Sequence, residues 1–118
     1  MSILEMALLL YAAHGLADYP LQGDFMSQAK NRHSKMEQLM PGHWPFVLSS
    51  HAAIHGAFVG LITGVWWLGT AEFVVHWITD FAKCEKWIGV KADQIIHLAS
   101  KVVWLAIFAG LSQSGGAS

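Results

Sequence analysis

From Trp44 to Leu68 the chain reads WPFVLSSHAAIHGAFVGLITGVWWL, a run in which the two histidines are the only ionisable side chains. About 20 predominantly apolar residues in a helix cross the hydrocarbon core of a bilayer. Pro45 suits the first turn of such a helix, where its missing N–H removes no bond. Trp66 and Trp67, followed by Gly69, suit a membrane–water boundary at the other end. This stretch predicts a membrane helix, and the rest of the chain falls into place around it.

Three more apolar runs flank it, giving expected spans at about 3–19, 44–68, 71–87 and 92–111. The third is short and interrupted by charge. Gly69-Thr70 nevertheless leaves room only for a tight antiparallel hairpin between the second and third. Composition agrees: 54% of the 118 residues are hydrophobic and 13% are charged, against roughly 25% charged in soluble domains. Six tryptophans in so short a chain also favour a bilayer boundary. The expected architecture is all-α: a membrane-embedded four-helix bundle forming a single integral membrane domain over 1–118, with a flexible Gly/Ser-rich tail at 112–118. The first run lacks a preceding basic region and a small-residue cleavage site, so it reads as a retained helix.

Between the first two spans, Pro20-Leu21-Gln22-Gly23 breaks the helix and Asp24 can cap another. An interfacial amphipathic helix is expected over about 24–40. Phe25, Met26, Ala29, Met36, Leu39 and Met40 form its apolar stripe, and Lys30, Arg32 and Lys35 its basic face. Those three basic residues and Lys83, Lys86 and Lys91 all fall on one side of the bundle; Lys101 is the exception. The positive-inside rule makes that side cytoplasmic and puts both termini outside, in a bacterial inner membrane. A net charge of −1 with no basic stripe excludes a nucleic-acid partner. The expected partners are membrane lipids, a second copy of the chain, or a larger membrane complex. The lone Cys84 supplies neither a disulfide nor a thiolate cage and reads as a small buried hydrophobe.

Each span also carries ionisable residues four apart: His14 and Asp18, His51 and His55, His76 and Asp80, Asp93 and His97. Residues at i and i+4 share a helix face. Random placement of the 11 His and Asp residues gives about one such pair, and here there are four. With alternating helix directions, His14, His55, His76 and His97 fall in a deeper layer. Asp18, His51, Asp80 and Asp93 fall about 6 Å nearer the basic side. Any single pair could be a histidine hydrogen-bonded in packing. Four at matched depth point to function, because ionisable groups in a bilayer are costly. The eight are candidate ligands for one or two divalent ions, zinc foremost, with manganese, iron or nickel as alternatives and calcium unsuited. Lys101 and Glu72 also match in depth, either as a buried ion pair or with Lys101 facing an anionic substrate. His33 and His43 read as solvated.

The motifs His14-Gly-Leu-Ala-Asp18-Tyr-Pro-Leu-Gln22, His51-Ala-Ala-Ile-His55, His76-Trp-Ile-Thr-Asp80 and Asp93-Gln94-Ile-Ile-His97 resemble an uncharacterised family of small phage and bacterial membrane proteins. The resemblance covers about Leu8 to Lys101. It implies a membrane fold and brings no activity with it. In pattern alone the chain is also similar to the membrane-bound metal-dependent hydrolases regulated by the SOS repressor, which implies hydrolysis. The first expectation is therefore a metal-dependent hydrolase of a phosphate ester or lipid-like amphiphile at the cytoplasmic face. Its catalytic candidates are Asp18, Asp80, Asp93 and Lys101, with no separate cofactor-binding residues. The alternatives are a non-enzymatic ion or proton pathway and a haem- or pigment-binding accessory subunit with histidine axial ligands.

Overall fold

Ser2 opens the first helix: its hydroxyl accepts the Glu5 N–H at 3.1 Å while the Glu5 carboxylate accepts the Ser2 N–H at 3.1 Å, a reciprocal cap. The computed structural model describes residues 1–114, which form six helices and, among the described residues, no strand. These are α1 (Ile3–Asp18), α2 (Gly23–Ala29), α3 (Lys35–Leu39), α4 (Trp44–Thr63), α5 (Trp66–Cys84) and α6 (Val90–Ser114).

Three boundaries differ from the sequence expectation. The hairpin turn lies at Gly64-Val65 instead of Gly69-Thr70. Gly64 sits at φ +71°, in the left-handed region, which glycine enters at little cost. The Thr63 hydroxyl donates to the Val59 carbonyl at 2.7 Å and accepts the Val65 N–H at 3.1 Å. Trp66 and Trp67 therefore start α5 and do not end α4. The single interfacial helix over 24–40 is instead two short helices, because the chain turns at Asn31–Ser34, where Ser34 caps α3. Helix α6 runs through residues 112–114, which were expected in the flexible tail; residues 115–118 of that tail lie outside the described residues.

Helices α4 and α5 pack so closely that a Cβ on Gly56 would lie 2.7 Å from the Gly69 carbonyl oxygen, and one on Gly69 would lie 2.6 Å from that of Gly56. Small residues at such a crossing let backbones approach. Helix α1 packs on α4 and α6, and α5 on α6, so the four long helices close a ring; α2 packs on α4. The result is elongated, 53 × 22 × 21 Å. Toward the start of α1, Met6, Leu10, Val59, Leu68 and Trp104 fill the ring as an apolar core, with Ile62, Ile107 and Phe108 against it. At the opposite end the Arg32 guanidinium and the His33 imidazole bind the Glu85 carboxylate. These hydrogen bonds hold its pKa down to about 2, and they tether the α2–α3 connection to the end of α5. Two helices, Trp44–Thr63 and Val90–Gln113, are long and apolar enough to cross a membrane.

Candidate metal centre

Three of the sequence pairs sit on one face of their helix and converge inside the ring. Asp18 ends α1, and its two oxygens serve different partners. Oδ1 lies 2.8 Å from His55 Nε2 and 3.3 Å from His51 Nε2, both on α4. Oδ2 lies 3.2 Å from His14 Nε2, one turn earlier on α1, and accepts the Gln94 amide of α6 at 3.3 Å. His97 Nε2 lies 3.1 Å from Asp93 Oδ1 on α6. The fourth pair does not close on itself. His76 Nδ1 lies 3.6 Å from Glu72, while Asp80 turns to two lysines.

The four histidines expected in the deeper layer are neighbours, with ring centroids 3.7 Å apart for His55–His76, 4.0 Å for His76–His97 and no more than 6.5 Å for any pair. The residues expected in the shallower layer separate into two groups. Asp18 and His51 pair together, with His51 Nε2 3.8 Å from Asp80 Oδ2, and Asp80 and Asp93 face each other across Lys83.

Of the eight candidate ligands, Asp18, His51, His55 and His76 form one group, each offering a donor atom within 4.8 Å of the others. A tetrahedral ion with bonds of about 2.1 Å has donors about 3.4 Å apart, so a small contraction closes this group on one ion. The three histidines are 1–2% exposed. Buried Nδ1 atoms on His14, His51, His76 and His97 have no hydrogen-bond partner, which is costly for an imidazole without another role. The remaining four candidates surround this group. His14 braces Asp18, Asp80 holds lysines, and Asp93 with His97 lines the far wall of an adjoining cavity of about 160 Å³.

Lys101 lies away from that cavity. Its ammonium donates to Glu72, which also accepts the Trp104 indole N–H at 2.8 Å. The cations at the site are two that the sequence reading placed elsewhere. Lys30 belongs to the expected basic face of a surface helix, yet it is 3% exposed and donates to Gln22 and, at 2.6 Å, to Asp80 Oδ2. Lys83 reaches Asp80 Oδ1 at 3.1 Å and Asp93 Oδ2 at 3.6 Å. The signal for Lys30 was the break at Pro20–Gly23. Gly23, at φ +63°, begins α2, which packs on α4 and has Lys30, beside Asp80, as its C-cap. Gln94 was missed as well; its amide spans His14, Asp18 and Asp93. Compared with family models, curated proteins and solved structures, the chain matches none.

Proposed function

We propose that this chain is a four-span integral membrane protein that holds a divalent metal ion on Asp18, His51, His55 and His76 and hydrolyses a phosphate ester or a phosphate-bearing amphiphile. One observation carries the reading. Asp18 and three histidines, from three helices in all, bring their donor atoms into one group, and of Asp18, Asp80 and Asp93 only Asp18 has no lysine partner. A largely enclosed carboxylate whose partners are imidazoles and one amide, with no ammonium among them, favours a cation beside it.

Burial supports the four spans. The interior holds His, Asp, Glu and Lys, while Leu4, Leu8, Phe46, Leu61, Ile78, Ile95 and Val102 face outward. That inversion costs a great deal in water and little in lipid. α1 and α5 then cross as partners of α4 and α6, despite the short length of one and the charges of the other. Zinc best suits a His₃Asp donor set. A bound ion supplies Lewis-acid activation of water and of a phosphoryl oxygen. The chain's own residues do the rest: Asp93, hydrogen-bonded to His97, accepts a proton in the cavity, and Gln94 fixes both Asp18 and Asp93.

The string of imidazoles from His51 through His55 and His76 to His97 favours a second reading, a proton relay. The apolar core of Met6, Leu10, Val59, Leu68 and Trp104 closes the ring beyond it, which weighs against passage. Ring spacings of 3.7 and 4.0 Å leave no slot for a haem between His55, His76 and His97.

Elemental analysis of protein purified in detergent without chelators tests the reading. One divalent ion per chain is expected. His55→Gln keeps the volume and a hydrogen-bond donor toward Asp18 but loses the imidazole lone pair, and should lower metal content at least tenfold. His33→Gln should leave it unchanged. A folded, metal-free wild type that conducts protons in vesicles would establish the relay instead.

A further inference from the structure

The cavity beside the donor group is lined by Asp18, Gln22, Asp80, Lys83, Asp93 and Gln94, with His76 and His97 also on its wall. Its volume of about 160 Å³ is room for about five waters, or for one phosphate group of five heavy atoms. Three carboxylates stand against two ammonium groups here, Asp18, Asp80 and Asp93 against Lys30 and Lys83. The formal charge is therefore −1, counting the histidines as uncharged. A divalent ion on the donor group changes this to +1, and a net positive charge in a site this buried draws in an anion.

The two lysines are not equivalent. Lys30 is 3% exposed and held by Gln22 and Asp80. Lys83 is 27% exposed and spans Asp80 and Asp93 at 3.1 and 3.6 Å, on a flexible stem with three rotatable donors. When Lys83 turns away, Lys30 still neutralises Asp80. We propose that the metal-loaded cavity is a phosphate site and that Lys83 is its receptor, exchanging its contact with Asp93 for one to a phosphate oxygen. Gln22 also lines the cavity; one of its amide N–H groups donates to the Asp18 carbonyl at 3.0 Å, which leaves the second for a phosphate oxygen. The proposal rests on the metal reading above and adds the group that recognises the substrate's charge.

The test uses the full chain in detergent, loaded with cobalt(II) as the spectroscopic ion. Inorganic phosphate and a short-chain phosphatidate are titrated separately while the cobalt absorption band is followed. A saturable shift from either probe is expected, and the tighter of the two identifies free phosphate or a lipid headgroup as the natural form. Lys83→Gln should weaken that binding about tenfold or more, the usual effect of losing a charge-assisted hydrogen bond, with cobalt content unchanged. Lys83→Arg should retain most of it. Metal-free protein, followed by titration calorimetry, should bind neither probe. Wild-type phosphate affinity in cobalt-loaded Lys83→Gln overturns the proposal and leaves the metal reading intact. Loss of cobalt from both Lys83 variants also overturns it, since Lys83 is then a counter-ion that builds the donor group. A wild type that takes up no metal defeats the underlying reading itself.

Discussion

Asp18, 12% exposed, and Glu72, fully buried, are both carboxylates inside the ring, yet the side chains around them give them opposite characters. Asp18 is surrounded by imidazoles and an amide, groups that can rearrange around a cation. Glu72 has an ion-pair partner in Lys101 and an indole N–H from Trp104, and it is 0% exposed. That pair neutralises itself and stands behind His76. Removing one member of a buried pair strands the other, at a cost of about 3–5 kcal/mol, whereas replacing both is often close to neutral. Lys101→Met should therefore lower thermal stability in detergent by about that amount. Adding Glu72→Gln should restore most of the loss, because the glutamine oxygen still accepts from Trp104, and metal content should hold in the double variant. Recovery of stability with loss of metal would make Glu72 an orienting partner of His76 and not a closed pair.

Among the elements, the α4–α5 hairpin has the tightest constraint. Its backbones meet at Gly56 and Gly69, and the Trp77 indole N–H reaches across to the Ser49 hydroxyl at 3.1 Å. A methyl group at 69 meets backbone, which cannot swing aside. Gly69→Ala should cost about 1–3 kcal/mol through overpacking. Gly15→Ala, with nothing within 4 Å of its added Cβ, should be neutral or gain about 0.5–1 kcal/mol from helix propensity; thermal unfolding of the two variants side by side checks both. The helical character of these segments was legible in the sequence, because length and apolarity are local properties. The turn was not. Gly64 and Gly69 both stand in one continuous apolar run, and the two differ only in which takes the left-handed conformation and which receives a neighbouring helix. The break at Asn31–Ser34 was obscured in the same way, since the apolar stripe of residues 25–40 continues across it.

At the scale of the whole molecule, polarity changes along the long axis: apolar core at one end, His/Asp/Lys cluster toward the other, basic residues beyond. If the four long helices cross a membrane in alternation, His33 and Gly89 lie on the same side. With Cys84 replaced by alanine, single cysteines at positions 33 and 89 should react with a membrane-impermeant maleimide from the same side, the cytoplasmic one, in inverted vesicles and not in intact cells. Opposite labelling ends the four-span arrangement.

The i,i+4 spacing of the His and Asp residues could be read directly, because it follows from helix geometry alone. Which of them would come together as one donor group could not, since that depends on which helices are neighbours and on where Lys30 and Lys83 reach. Lys30 in particular is surface-like in its own helix and buried because α2 packs on α4 and the ammonium reaches Asp80.

The donor group is drawn from α1, α4 and α5, whereas the far wall of the cavity comes from α6. A chain made from its N-terminus thus carries Asp18, His51, His55 and His76 before Asp93, Gln94 and His97 exist. On the proposed reading, the nascent protein has its ion-holding residues first and its reaction chamber last. Metal capture and enclosure are then separate events in biogenesis, and α6, made after α1, α4 and α5, turns an open ligand set into an enclosed pocket.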